Sequence, residues 1–328
     1  MTTVSVVSVF YNRSTLVGDT VKSLLDQDLT DYEVLLVDDG SKDDTLAQLN
    51  RYADDPRVRV IGGENMGFVN AINAAIDEAK GRYIAVHGSG DIAFRERLSR
   101  QSAVLDARPE VGVVGCRSEI VTLQSTRAPH ITPFTFDGDA ETEILTTNPF
   151  HHGEVMFRRD LFYKVGKYRS YFVCAQDRDL WCRLSHHTQF VVLNDVLYRK
   201  FAKVPGSVSA DPRRLLLQRY LSDFAVFCHR ERLAGRPDPL DKYGTQGGLF
   251  KPPSRELSKS LCTIGSRFAA DGDLDNAKLF YLRSEQESGY LYARMMRIVA
   301  ANAPFLLTGA GKLYRRIMRV FQKASFSK

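Results

Sequence analysis

The stretch Val34-Leu-Leu-Val-Asp-Asp-Gly-Ser-Lys-Asp-Asp-Thr45 decides how the chain is read. Its apolar run, residues 34–37, reads as a buried strand. The run ends in two carboxylates, Asp38 and Asp39, followed by a Gly-Ser turn. Open α/β sheets bind ligands just beyond the carboxyl ends of their strands. A carboxylate there, beside flexible backbone, is placed to accept hydrogen bonds from a base or ribose, or to sit near a metal. Asp43 and Asp44 then begin a helix against its positive N-terminus.

Working outward, residues 4–10 are β-branched and apolar and stop at Tyr11-Asn-Arg13. Ser14 reads as the N-cap of a helix reaching about residue 27. Strands follow over 32–37 and 57–61, and the strand–helix–strand alternation predicts a right-handed parallel sheet. Asn65-Met-Gly67 reads as a turn in which Gly67 is free for close backbone approach or positive φ. A small-residue helix over 68–79 ends at Gly81. The next strand, 83–86, opens into His87-Gly-Ser-Gly-Asp91, a second polar strand end on the same side of the sheet. Beyond it the pattern predicts a helix over 96–106, a strand over 111–115 and an irregular polar loop over 124–147. A strand at 154–158, helices at 160–165 and 176–185, and closing strands at 190–193 and 196–201 complete this part.

Ser5-Val-Val-Ser-Val-Phe-Tyr-Asn-Arg13, Ser23-Leu-Leu-Asp-Gln27, Tyr32-Glu-Val-Leu-Leu-Val-Asp-Asp-Gly-Ser41, Asn65-Met-Gly67 and Gly81-Arg-Tyr-Ile-Ala85 occur in this order. Together they resemble family 2 glycosyltransferases of the GT-A fold, over roughly residues 3–210. The resemblance implies an α/β, Rossmann-like mixed sheet flanked by helices. It implies inverting transfer of a sugar from a nucleoside-diphosphate sugar, a UDP-sugar first among them, to a hydroxyl of a glycan or lipid-linked saccharide.

The resemblance also assigns roles. Tyr11 and Asp39, with Asn65 and Gly67 beside them, fall where the family holds the nucleoside. The family's usual Asp-x-Asp-Asp, whose carboxylates bind a divalent ion on the donor's diphosphate, is reduced here to Asp91 with Ser89, because Gly88 and Gly90 stand where the main acids belong. Two expectations follow. Either Asp91 holds Mg or Mn with help from Asp39 and the diphosphate, or basic side chains and backbone N–H groups stabilise the diphosphate without metal. Arg199 and Lys203 are the basic candidates, in a segment where relatives read Tyr-Arg-x-x-x-His-Pro-Gly-Ser-Val-Ser and this chain has one added residue and no histidine. Ala175-Gln-Asp-Arg-Asp-Leu-Trp181 resembles the family's catalytic segment, so Asp177 aligns with the general base that takes the acceptor's proton. Asp177 also suits an N-cap, and Asp179 reads as a structural acid. His152, in Asn148-Pro-Phe-His-His-Gly153, and Trp181 are assigned to the acceptor side, with the core as the other place for Trp181.

The 328 residues exceed one usual domain, so a glycosyltransferase domain over 1–211 and a helical region over 212–328 are expected. In the latter, Gly265, Phe268, Gly272, Ala277 and Tyr281 have the spacing of one tetratricopeptide-like hairpin. In the tail, Lys312, Arg315, Arg316, Arg319 and Lys323 share one helical face opposite Leu313, Ile317, Val320 and Phe321, which suits an anionic membrane surface. The net charge of +6 selects no partner class by itself, and no nucleic-acid partner is expected. Five cysteines without a Cys-x-x-Cys pair argue against a zinc site or disulfide framework and for a reducing compartment. With no 18-residue apolar run, a cytoplasmic protein, peripheral on the inner membrane face, is expected. The absence of Gly-x-Gly-x-x-Gly after the first strand disfavours a dehydrogenase, and Phe10-Tyr-Asn-Arg-Ser14 is not a nucleotidyltransferase loop. The alternative that Gly88 and Gly90 keep open is a catalytically silent nucleotide-sugar-binding or scaffold protein.

Overall fold

The structure, a computed structural model, describes residues 2–122, 128–202, 204–304 and 306–307. In chain order its elements are β1 (Val4–Phe10), α1 (Val17–Leu25), β2 (Tyr32–Asp38), α2 (Thr45–Asn50), β3 (Val58–Gly62), α3 (Phe68–Asp77), β4 (Tyr83–Gly88), β5 (Ile92–Ala93), α4 (Arg97–Ala107), β6 (Val111–Thr122), β7 (His130–Ile131), β8 (Phe136–Gly138), β9 (Met156–Arg158), α5 (Arg159–Lys164), α6 (Gln176–Leu184), β10 (Gln189–Ala202), α7 (Pro212–Leu233), α8 (Pro239–Tyr243), α9 (Arg255–Asp271), α10 (Leu274–Ser288) and α11 (Leu291–Asn302).

The strands form one mixed sheet in the order β3-β2-β1-β4-β9-β6-β10-β5, with β7 on β6 and β8 on β10. β3, β2, β1 and β4 run parallel, β9 is antiparallel to both β4 and β6, and β6 and β10 run parallel. The carboxyl ends of β2, β1, β4, β6 and β10 therefore share one edge with the amino end of β9. That single reversal brings the segment before β9 to the same edge as Asp38 and Gly88.

Alternation of side chains across the strands builds two cores. Val7, Val9, Ile84 and Val86 face α3 and the Leu180–Leu184 part of α6. Val4, Val6, Phe10, Tyr83 and Ala85 face Val17, Val21 and Leu24 of α1 and Leu98 and Leu105 of α4. β1 and β2 are buried along their whole length, which explains their nearly unbroken apolar sequence.

Two expectations change. The closing strands read at 190–193 and 196–201 are one strand, β10, bent by register shifts at Leu193/Val196 and Val196/Tyr198 against β6. The polar Asn194-Asp195 pair at that bend, a local irregularity of the kind that re-aims a strand, looked like a break in sequence. Ser14 begins a short 3-10 turn ahead of α1 and gives no side-chain cap. Of the loop read at 124–147, residues 128–147 include β7, β8 and a 3-10 turn.

The chain divides into two compact units, Met1–Ala210 with Cys228–Asp238, and Asp211–Phe227 with Pro239–Lys328. The first thus takes up a segment from beyond the boundary expected at 211/212. In the second, Leu257, Leu261, Ile264 and Phe280 pack with Leu215, Leu216 and Tyr220. Tyr281 lies against Gly265, where an added Cβ would stand 2.9 Å from its ring. All five cysteines are buried and none is in a disulfide.

Candidate active site

Three polar segments lie along the sheet edge. The first is built by the loops after β1 and β2. The Asp39 N–H donates to the Phe10 carbonyl (2.9 Å), the Asn12 N–H to Ser41 Oγ (2.9 Å), and the Lys42 N–H to Asn12 Oδ1 (2.8 Å). Asn12 accepts a φ of 52° in this loop, as asparagine tolerates. Asp39 Oδ1 accepts the Met66 N–H (2.8 Å), and Asn65 Nδ2 donates to the Asp39 carbonyl (2.7 Å). Gly67 follows at φ 81° and starts α3. Asp39 is only 4% exposed, while its neighbours Tyr11 and Met66 are 43% and 51% exposed. Burial raises the Asp39 pKa, opposed by the Met66 and Gly67 N–H groups. The arrangement is an anchored carboxylate between two exposed side chains, suited to a flat, hydrogen-bonding ligand.

The second segment is the turn after β4. Val9 of β1 pairs with Gly88 and Phe10 with Asp38, so the ends of β2 and β4 are two strand spacings, about 10 Å, apart. Ser89 is at the apex of this turn, half-buried. Asp91 turns inward: its Oδ2 accepts the Tyr198 hydroxyl (2.7 Å) and its Oδ1 the Phe201 N–H (2.9 Å). The Gly88 N–H donates to the same Tyr198 oxygen (3.0 Å). Burial raises the Asp91 pKa against those hydrogen bonds. Behind the turn, fully buried Arg97 donates to His87 Nδ1 (3.2 Å) and to the Val86 carbonyl (2.8 Å), and its guanidinium lies 5.1 Å from the Tyr198 ring centre. With Nδ1 accepting, His87 carries its proton on Nε2, toward the Asp91 carbonyl (3.1 Å). Burial, then Arg97, lowers the His87 pKa to about 3.

This geometry does not fit the ion-binding set that the resemblance implied. A β-carbon at Gly88 would stand 2.4 Å from Asp91 Oδ2, and both Asp91 oxygens are already engaged internally. Among the described residues, no group of three or more His, Cys, Asp or Glu is placed to hold an ion. Asp91, expected as a metal ligand, here ties the turn to β10.

The third segment precedes β9. His151–Glu154 forms a short turn in which the Glu154 carboxylate accepts the His151 N–H (3.0 Å) and the Ser118 hydroxyl. Burial lifts Glu154 to about 7. His152 Nε2 meets the Tyr168 hydroxyl (2.7 Å), and its ring packs edge-on to Phe68 and Tyr168. Asp177, in the first turn of α6, meets Asn148 Nδ2 at 3.4 Å, and its charge acts on His151, His152 and Tyr168. Its helix is held from behind by buried Asp179, which pairs with Arg169 and with Arg183 (2.7 Å), while Arg169 also pairs with Asp238 (2.8 Å).

Other assignments shift. Trp181 is fully buried against Phe150 and Phe157; it backs the third segment from the core and presents no acceptor-side surface. Arg199 is not with Asp91: it faces the opposite side of β10, paired with Glu119 and stacked near Phe94. Lys203 lies outside the described residues. The residue that sequence reading missed is Lys200, whose Nζ donates to His151 Nδ1 (3.2 Å). Strand alternation was the available signal, since Tyr198 and Lys200 share one face of β10 and Arg199 takes the other.

Residues 5–166 match the model of the glycosyl transferase family 2. EpsE of Bacillus subtilis strain 168, itself named as a candidate glycosyltransferase, is 30% identical over 186 residues, 55% of this chain and 66% of that protein. The chondroitin synthase of Pasteurella multocida strain Pm70 is 28% identical over 203 residues, 58% of this chain and 20% of that protein. The chain thus spans two thirds or less of these curated relatives. Residues 1–349 of Staphylococcus aureus TarS, crystallised with UDP-GlcNAc, superpose with a TM-score of 0.55 at 17% identity, covering 96% of this chain and 92% of that one. The likeness is one of fold, the GT-A type of mixed sheet flanked by helices.

Proposed function

The chain belongs to glycosyl transferase family 2 through residues 5–166, and on that footing we propose that it moves a sugar from a nucleoside-diphosphate sugar, most readily a UDP-sugar, to a hydroxyl of a glycan or lipid-linked saccharide, with inversion. The observation that carries this reading is the convergence on one sheet edge of the Tyr11–Asp39 pocket, the 88–91 turn and the Asp177 segment. The UDP-GlcNAc in the TarS structure supports the donor class, and the chondroitin synthase relative supports a glycan acceptor.

Tyr11 stacks on the base and Asp39 accepts its N–H, with Asn65 and Gly67 fixing the Asp39 carboxylate. Asp177 takes the proton of the acceptor hydroxyl. The freed oxygen pair forms the new bond to the anomeric carbon as that carbon's bond to the phosphate oxygen breaks, its electron pair leaving on the nucleoside diphosphate. Attack opposite the leaving group inverts the centre. His152, whose pKa burial and Lys200 lower against the pull of Asp177 and whose Nε2 meets the Tyr168 hydroxyl, lines the acceptor side. We place the protein at the cytoplasmic face of an anionic membrane through its basic tail, residues 312–323, which lie outside the described residues.

Release of nucleoside diphosphate from a panel of UDP-sugars tests the reading. Removal of a general base costs about a hundredfold or more, so Asp177→Asn should lose at least that with donor binding intact. Unchanged turnover would overturn the base assignment. A silent nucleotide-sugar-binding protein is the reading that the internally engaged Asp91 favours. It predicts that wild type binds donor and releases no product.

A further inference from the structure

Lys200 reaches the sheet edge at the point where the two half-sites join. Its neighbours on β10 clamp the 88–91 turn: the Tyr198 hydroxyl and the Phe201 N–H each hold one oxygen of Asp91. On the other side, Lys200 Nζ donates to His151 Nδ1 at 3.2 Å, in the segment next to Asn148 and Asp177. Lys200 is half-buried, and among the described residues no carboxylate stands within ion-pairing distance of it, in contrast to Arg199 on the opposite face. Its charge nevertheless acts on Asp91, His151, His152 and Glu154 at once, which sets it between the 88–91 turn and the segment before β9.

Its one direct partner accepts rather than neutralises. His151 is kept uncharged, its pKa lowered to about 4 by burial, then by Lys200 itself. An ammonium with one N–H given to an imidazole has two further N–H donors to offer. The adjoining turn meanwhile has glycine at the two places where acids would hold an ion.

We propose that Lys200 is the cation that meets the donor's diphosphate, in place of a divalent ion, so that donor binding by this chain is independent of metal. The inference rests on the nucleotide-sugar reading above and deepens it. An ammonium offers a compact charge and up to three hydrogen bonds to phosphate oxygens. It carries a single positive charge, and because the N–H groups of Gly88, Gly90 and Asp91 are engaged within the fold, most of the load falls on Lys200 itself. As the anomeric bond breaks, charge growing on the phosphate oxygen falls where Lys200 already stands. Asp91 serves as a positioning residue in this arrangement: by fixing Tyr198 and Phe201, it fixes the backbone on either side of Lys200.

Titration calorimetry of the full chain separates the possibilities, using whichever of UDP, GDP, dTDP and ADP binds most tightly, and its parent nucleoside. Wild type is expected to bind the diphosphate equally in EDTA and in MnCl2. A hydrogen bond to a charged group is worth enough to cost about tenfold or more when lost. Lys200→Ala should weaken the diphosphate by that factor and leave the nucleoside unchanged, while Lys200→Arg recovers most of the loss. Thermal melts of both variants establish that they fold. Diphosphate binding that vanishes in EDTA, or a folded Lys200→Ala that binds the diphosphate like wild type, overturns the inference and leaves the nucleotide-sugar reading standing. If none of the four diphosphates binds with or without Mn2+, the nucleotide-sugar reading itself fails.

Discussion

The 91, 154, 181 and 200 positions illustrate how far a side chain's role depends on what surrounds it. Asp91 looked like a surviving ion ligand because its neighbours in sequence matched a motif; Tyr198 and Phe201, more than a hundred positions away, take up both of its oxygens. The resembled motif points to Arg199, but alternation along β10 sends Arg199 to Glu119 and its neighbour Lys200 to His151 on the opposite face. Trp181 was legible as apolar at helical spacing, but not how deeply β9 and Phe150 cover it. Glu154 gave no signal at all. Burial lifts its pKa to about 7, above the ordinary carboxylate value. Between about pH 4.5 and 7 the folded chain keeps a proton there that the unfolded chain releases, so this residue's contribution to stability is complete at low pH and is lost as pH rises through 7. Glu154→Gln removes the titration, its amide oxygen accepting the His151 N–H and its NH2 donating to the Ser118 oxygen. Chemical denaturation at pH 5 and pH 8 should therefore show the variant gaining stability relative to wild type at the higher pH. Parallel behaviour at the two pH values would mean that Glu154 does not change its ionisation on folding in this range.

Among the elements, those dominated by local signals were the legible ones. The β-branched run of β1, the apolar run of β2 and the helix α3 opened by Gly67 each follow from period and punctuation. β10 did not, because a bend within a strand resembles a loop when read one residue at a time. The start of α6 at Gln176 was legible too, but not the backbone before it: Ala175 sits at φ 61°, a left-handed conformation that no alanine preference announces. That conformation costs a non-glycine residue about 1 kcal/mol. Ala175→Gly should relieve it, offset in part by glycine's greater freedom when unfolded. A melting temperature raised by a degree or more, with turnover retained, is expected. A lower melting temperature would mean that the Ala175 methyl, buried at 4% exposure, contributes more by packing than its backbone costs.

For the molecule as a whole, the sequence conveyed a catalytic part followed by helices, but not that Cys228–Asp238 groups with the first unit. Asp238 belongs there because Arg169, which also holds Asp179 behind Asp177, needs a second carboxylate. Such long-range charge pairing leaves no periodic trace. No described helix is long and apolar enough to cross a membrane, so the proposed attachment falls to residues 312–323. About 1 kcal/mol per basic residue near an anionic surface is available to such a segment. Removal of residues 308–328 should abolish co-sedimentation with phosphatidylserine-containing vesicles and leave soluble-acceptor turnover unchanged; equal sedimentation of the two chains would retire the attachment. The burial of all five cysteines has a practical sequel. A thiol-reactive dye finds no target on the intact fold, so its uptake times the opening of the interior. Cys262 lies in the second unit and the other four in the first. Peptide mapping of the labelled sites would therefore tell which unit opened first, without any engineered reporter.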